Sequence, residues 1–216
     1  MSDKAITEKP TKLSKKDIKA QAMKRRICAA VVSCLDELGY AETSINRIQE
    51  RAGVSRGALT HHFPTKQALV AETTMRMLHA AMRPMHNDRN TNDTTAVVPA
   101  AVLLTNSWNH IVNTAEGRAF VEVIVACRTD RELYNVLAKD LQDWDAGSAT
   151  TISTRYKGSQ DEDDDAALLW SISRTFFRGL LTHERFVSDP AYLARMMDRF
   201  AGIMDAHLIA RDTPAL

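Results

Sequence analysis

Cations and hydrogen-bond donors gather at Ser55, Arg56, Thr60, His61, His62 and Lys66, and a second polar set precedes them at Ser44, Asn46 and Arg47. Side chains of these types hold a polyanion; they do not by themselves assemble a bond-breaking centre. A guanidinium can pair bidentately with a guanine edge or grip a phosphate, so both roles stand open for Arg56, with base reading as the sharper expectation. Thr60 suits a thymine methyl or a phosphate. Chemistry of other kinds lacks its residues. There is no His-Glu-x-x-His pair, paired-cysteine cluster, nucleophile elbow or dinucleotide fingerprint. The acidic run Asp161 to Asp165 resembles a calcium loop in charge alone, without the glycine and terminal glutamate such a loop requires. No cofactor and no metal are expected, and the chain reads as a binding protein rather than an enzyme.

Those donors need a scaffold, and the flanking residues describe one. Thr43 or Ser44 can accept a hydrogen bond from free amides and start a helix. Ile45, Ile48 and Ala52 then recur at helical spacing. Gly53 stands where a chain leaving a helix often needs positive φ. Ser55 caps a second helix whose inward face is Ala58, Leu59 and Phe63, with Arg56 and Gly57 in its first turn. Gly57 lets backbone approach backbone closely. Two short helices joined by a glycine turn form a helix-turn-helix, whose second helix conventionally enters the major groove.

From about Lys24 to Leu69 the chain resembles the DNA-binding domain of the TetR family of bacterial transcriptional regulators. The resemblance rests on Ile27, Ala30, Gly39-Tyr40, Thr43-Ser44, Ile48, Ala52-Gly53-Val54-Ser55, Gly57, Leu59, His62-Phe63, Lys66 and Leu69. Thr60 stands where the family usually has tyrosine, and Gln49 where it usually has alanine. The resemblance implies contacts to double-stranded DNA from Ser44, Asn46, Arg47, Ser55, Arg56, Gly57, Ala58, Thr60, His61, His62 and Lys66. His61, His62 and Lys66 fall where the family grips phosphates. For His62, packing against Phe63 is an equal alternative.

Composition agrees with a helical, DNA-facing protein. The chain has 216 residues, 44% apolar and 25% charged, enough for a sizeable core. Its net charge of +1 hides an asymmetry. Residues 1–70 hold 13 Lys and Arg against 7 Asp and Glu, whereas residues 71–216 hold 15 against 20. A basic N-terminal third is expected where only one part meets phosphate. Lys4, Lys9, Lys12, Lys15, Lys16 and Lys19 form a polar tail, either a solvated extension or an arm tracking phosphates. Cys28, Cys34 and Cys127 show no metal spacing and read as small buried hydrophobes in a reducing cytoplasm; a redox sensor is the other reading. No stretch approaches a membrane span, so a cytoplasmic location is expected.

The remaining pattern is all-α. A capping box at Ser14 to Asp17 opens a helix with Ile27, Ala30, Val31, Cys34 and Leu38 inward, ended by Gly39. Thr65 caps the next, carrying Leu69, Val70, Met75, Leu78 and Met82. Arg83-Pro84 and residues 87–93 read as a break and a loop. Helices are then predicted over 98–113, 117–127, 131–156, 164–187 and 190–209, with no strands. The division expected is a flexible basic tail over 1–18, a helix-turn-helix domain over 19–66, and a larger helical domain over 67–216.

The last two helices carry broad apolar faces. In the family this resemblance points to, that pair forms a four-helix bundle with a second subunit. A homodimer is thus expected through Leu169, Ile172, Phe176, Leu180, Met196, Met197, Phe200, Ile203 and Met204. Two recognition helices about 34 Å apart would read a pseudo-palindromic operator. The resemblance also implies a small-molecule effector, of unknown identity, inside the larger domain. Candidate walls are Leu78, Met82, Met85, Trp108, His110, Phe120, Trp144, Trp170, Arg174, Phe177 and Arg178, residues that would otherwise be plain core. Arg174 and Arg178 need partners if buried, either Glu122 or Glu184, or an anionic ligand. The expected function is a ligand-responsive regulator, a repressor by resemblance. An architectural DNA binder without effector and a helical enzyme are the alternatives.

Overall fold

A computed structural model describes residues 14–87, 97–160 and 162–211. Most of the basic tail and the loop after Asn87 lie outside them. Helix α1 spans Lys15–Glu42 and opens on the expected capping box, the Ser14 side chain accepting from Asp17 N and the Asp17 carboxylate from Ser14 N. Gly39 breaks its regularity as the sequence predicts, with φ 75° and ψ 170°; the helix resumes for one turn to Glu42. Helix α2 is Ile45–Ala52 and α3 is Arg56–His62. Helix α4, Lys66–Asn87, starts on Thr65, whose hydroxyl accepts from Ala68 N at 3.1 Å.

The helical body differs from the periodicity in its details. A single predicted helix over 98–113 is instead α5, Ala100–Ser107, running into a π-helical turn at Trp108–Val112. Helix α6 covers Ala115–Ala126 and α7 Arg131–Arg155, the latter capped by Asp130. Helix α8, Asp165–His183, ends in a 3-10 turn, Glu184–Phe186, and α9 spans Pro190–Asp205. The expectation of no strands is corrected. Tyr156–Gly158 (β1) pairs antiparallel with Leu208–Ala210 (β2), Tyr156 opposite Ala210. This clasp ties the end of α9 to the end of α7. It is fixed by Tyr156, whose hydroxyl donates to Val98 O at 2.8 Å and whose burial pushes its pKa up to about 12. Six residues of ladder are too few to leave an alternating pattern in sequence.

Two apolar cores result. One joins α1, α2, α3 and α4 to α6 and α7 around Ile27, Val31, Leu35, Ile48, Leu59, Leu69, Val123 and Leu137. The other lies among α5, α8, α9 and the end of α7, around Leu104, Trp108, Ile152, Phe177 and Met197. Leu38, expected inside, is 39% exposed, because the Gly39 kink ends the inward stripe. Among the described residues no helix is long and apolar enough to cross a membrane.

Candidate nucleic-acid interface and effector cavity

Local chemistry builds the helix-turn-helix. Ser44 rather than Thr43 caps α2, accepting from Arg47 N at 3.3 Å. Thr43 is buried and donates its hydroxyl to Gly39 O at 2.8 Å. Gly53 adopts φ 60°, ψ 42°, the left-handed exit its position predicts. Ser55 caps α3, accepting from Ala58 N at 3.3 Å. A residue the sequence reading missed closes the turn: Arg26 Nη2 on α1 donates to Ala52 O at 2.6 Å and Gly53 O at 3.0 Å. It supplies donors and positive charge where the last carbonyls of α2 lack partners. Nothing local in sequence marks that pairing, since its partners stand a helix apart.

Leu59 and Phe63 anchor α3 inward, while Ser55, Arg56, Gly57, Thr60 and His61 are exposed and Ala58 half-buried. Gly57 has a surprise. A Cβ placed there meets nothing within 4 Å, so no neighbouring backbone within the described chain requires a glycine. The Thr60 hydroxyl donates back to Arg56 O at 3.0 Å. Asn46 and Arg47 are exposed at the start of α2, and Arg47 Nη1 bonds the Glu42 carbonyl at 2.6 Å and its carboxylate at 2.7 Å. His62 is half-buried, its ring 6.3 Å from Phe63, the packing arrangement the sequence left open.

Lys66 points inward in part. Its ammonium donates to Tyr40 O at 2.7 Å and lies 3.8 Å from the Tyr40 ring centre, and burial pulls its pKa down. A phosphate contact by Lys66 therefore requires that bond to open. Tyr40 is a junction. Its N–H donates to Glu122 Oε2 of α6 at 3.2 Å, and its hydroxyl to Asp130 at 2.5 Å. Asp130 also accepts from Gln67 of α4 at 3.2 Å and caps α7 through Leu133 N at 2.9 Å. The Leu133 amide first, then the Tyr40 hydroxyl, hold its carboxyl below the usual range. Arg118 of α6 grips Asp36 of α1 through two bonds, 2.6 and 3.0 Å.

A cavity of about 370 Å³ opens among α4, the π turn, α6, α7 and α8. Nine residues expected as effector walls line it: Leu78, Met82, His110, Phe120, Trp144, Trp170, Arg174, Phe177 and Arg178. Trp108 does not: it packs in the core, its ring 6.0 Å from Phe177, because regular helical spacing puts it on the inward face with Ala100 and Leu104. The Met85 side chain lies outside the described residues. The sequence reading missed the wall formed by Ile111, Val112, Thr114, Glu116 and Gly117. Gly117 is essential to that corner: a Cβ would fall 1.9 Å from Val112 O.

The expected partners of Arg174 are also corrected. It pairs with Asp145 Oδ1 at 2.5 Å, not with Glu122 or Glu184, because Asp145 on α7 faces α8 whereas Glu122 faces α1. Burial leaves Arg174 11% exposed, and its Nε and Nη1 have no acceptor. The indole nitrogens of Trp144 and Trp170 are likewise buried without acceptors. Arg178 lies 5.6 Å from the Phe120 ring centre, its pKa lowered by burial and then by Arg174. The same Phe120, Trp144 and Arg178 also border an adjoining cleft of about 510 Å³. Cys127 lines that cleft too; burial raises its thiol pKa, as it does that of Cys34, so neither thiol is activated.

The apolar faces of α8 and α9 divide in two. Leu180, Met197 and Met204, expected at a subunit interface, are 3–4% exposed and belong to the chain's own core. They stand on the inward side of each helix. Ile172 and Ile203, with Leu168 and Tyr192, are 45–52% exposed. Phe176 and Phe200 stack at 3.9 Å between the two helices, and Leu169 and Met196 are half-buried beside them.

Residues 27–73 match the family described as bacterial regulatory proteins, tetR family. An uncharacterised HTH-type transcriptional regulator of Mycobacterium tuberculosis is 30% identical over 121 residues, covering 56% of this chain and 61% of that protein. The chain thus spans under two thirds of the length of that relative. An HTH-type transcriptional repressor of the same organism is 38% identical over 66 residues, 29% of this chain and 35% of the relative. A solved transcriptional regulator from Saccharomonospora viridis, in complex with choline, shares the fold with a TM-score of 0.62 at 17% identity, over 88% of this chain and all of that one.

Proposed function

Because the chain carries the DNA-binding domain of the TetR family of bacterial regulatory proteins, we propose that it is a transcriptional regulator that releases DNA when a small molecule occupies the cavity. Residues 19–66 serve as the DNA-binding unit and 67–216 as the effector and dimerisation unit. Ser55, Arg56, Gly57, Ala58, Thr60 and His61 meet the major groove, while Ser44, Asn46 and Arg47 hold the backbone. The observation that carries the reading is the pairing of an inward-anchored, outward-polar α3 with a largely apolar cavity in the same chain. An architectural DNA binder has no use for such a cavity.

The exposed Leu168, Ile172, Tyr192 and Ile203 supply the contact between two copies, with Leu169, Phe176, Met196 and Phe200 at its edge. A two-fold pair then presents two α3 helices to successive major grooves about 34 Å apart. A dimer on a promoter obstructs polymerase, and one relative is named as a repressor, so repression is the sign we assign. Mobility shift on DNA upstream of the protein's own gene tests the reading, repeated with a metabolite panel. Binding to a pseudo-palindrome that one class of compound abolishes is the expected result. Failure to retain any double-stranded fragment at low ionic strength overturns it, and turnover of an added compound would favour an enzyme.

A further inference from the structure

The cavity's inner end carries a chemical preference. Much of the wall is apolar and aromatic, from Leu78 and Met82 to Phe120 and Phe177. Among the lining side chains four donor atoms lie buried without acceptors: Nε and Nη1 of Arg174 and the indole nitrogens of Trp144 and Trp170. Trp170 is only 6% exposed, and both indoles belong to the lining. Arg178 stands on the same helix one turn from Arg174 and lines the same space. Native interiors rarely leave donors unpaired, and a cluster of them asks for an acceptor. Every one of these atoms donates; none accepts.

Charge points the same way. The two guanidiniums face one carboxylate, Asp145, whose side chain is 59% exposed and pairs with Arg174. Arg178 makes a ring contact with Phe120 and, among the described residues, has no carboxylate within ion-pair distance. The lining also holds Glu116, exposed in the first turn of α6, and His110, exposed in the π turn. Neither is buried with the arginines. An aromatic box alone would suit a quaternary ammonium, the class of ligand held by the Saccharomonospora viridis protein. Two half-buried guanidiniums oppose that choice here, because a cation would enter beside like charges.

We infer that the cavity takes an anionic amphipathic molecule, a carboxylate on an apolar or aromatic body, with the carboxylate bonded by Arg174, Arg178, Trp144 and Trp170. Arg178 can meet a carboxylate through two parallel bonds; Arg174, whose Nη2 is held by Asp145, adds a single bond from Nε or Nη1, and the indole N–H groups complete the remaining lone pairs. The apolar body lies along Leu78, Met82 and Phe177. This assignment rests on the cavity being the effector site, yet its binding chemistry can be read without DNA.

The test uses three shape-matched probes on the full chain: 4-phenylbutyrate, its neutral amide, and (4-phenylbutyl)trimethylammonium. Tryptophan fluorescence and thermal shift report occupancy directly, since Trp144 and Trp170 line the space. The carboxylate should bind at least tenfold more tightly than the amide, and the ammonium more weakly still. In Arg178→Gln the acid's advantage should fall below threefold while amide binding persists. Arg178→Lys should keep part of the advantage, separating lost charge from lost fold. Equal binding of acid and amide, preference for the ammonium, or absence of binding by all three overturns the assignment. Selective binding of the acid without release of DNA leaves the ligand class standing and removes the ligand-responsive reading instead.

Discussion

Gly57→Ala separates stability from recognition at one atom. Gly57 is the second residue of α3, and an added Cβ there meets no atom within 4 Å. Its backbone is helical, since among the described residues only Gly39 and Gly53 have positive φ. Alanine is then the better helix former by about 0.5–1 kcal/mol. For a domain of this size that converts to about 1–4 °C in Tm. The variant should be more stable than the parent. A glycine that weakens its own helix with no reason among the described residues is explained by a partner molecule coming close. If that is a phosphate backbone, the methyl group keeps α3 from seating, and a tenfold loss of affinity corresponds to about 1.4 kcal/mol.

Differential scanning fluorimetry and fluorescence anisotropy on an operator duplex measure the two effects on one preparation. The expected result is a higher Tm with at least tenfold weaker binding to the operator. Unchanged affinity at raised Tm would mean that α3 does not rest its first turn on DNA, and the docking geometry would have to be abandoned. A lowered Tm would contradict the open space around the residue.

Three further outcomes follow from the same geometry. Arg56→Ala should cost about 1–3 kcal/mol and relax selectivity at one base pair; equal loss on specific and nonspecific duplexes in anisotropy would reassign Arg56 to phosphate. Ile172→Glu, at a side chain 47% exposed, should leave the fold intact but yield monomers in light scattering; a persistent dimer would place the subunit contact elsewhere. Asp130→Asn should lower stability by about 1–2 kcal/mol at pH 7 through weaker bonds to Leu133, Tyr40 and Gln67. The folded pKa of Asp130 is depressed, so its contribution is full above the unfolded value near about 3.9 and fades as pH falls below it. The gap in urea midpoint between parent and variant should therefore narrow in acid, and a constant gap would exclude ionic stabilisation at this site.

Legibility in the sequence followed the range of the forces involved. Ser44, Gly53, Ser55 and Thr65 act on atoms two to four residues away, so caps and turn were readable from local residue types. Amphipathic spacing located most of the cavity wall, because the residues that must face inward on α4, α6 and α8 repeat every turn. Features made by distant partners were not readable. The Arg26 bonds to the end of α2, the Arg174–Asp145 pair and the β1–β2 clasp join residues 26 to 54 positions apart. Helical spacing alone could not tell a cavity-facing Trp108 from a core one, and it stands in the core with Ala100 and Leu104. Periodicity alone also could not split an apolar helix face into inner and outer halves, which is why Leu180, Met197 and Met204 stood with the subunit contact.

The proposed effector would move DNA affinity only through differential affinity for two states of the chain, and α6 is one element placed to carry that difference. One of its faces, Glu116, Gly117 and Phe120, belongs to the cavity wall. Another is bolted to α1, through Arg118 to Asp36 and through Glu122 to the Tyr40 amide. The second bolt sits beside the Gly39 kink, where a Cβ would lie 3.0 Å from the Glu122 carboxylate and φ is 75°. Tyr40 in turn holds Lys66 at the start of α4, the helix that supplies Leu78 and Met82 to the cavity. A molecule that displaces α6 outward must therefore stretch the Tyr40 bonds or carry α1 and α4 with it. Either response would move the α2–α3 hairpin, because Leu59 and Phe63 are packed into the same core as Ile27, Val31 and Val123. Arg118→Ala, by removing one bolt while leaving the cavity and α3 untouched, should weaken the link between ligand and DNA without weakening either binding event alone. Mobility shift at saturating ligand would register that uncoupling as DNA retained, and a fully responsive variant would show that the signal does not pass through α6.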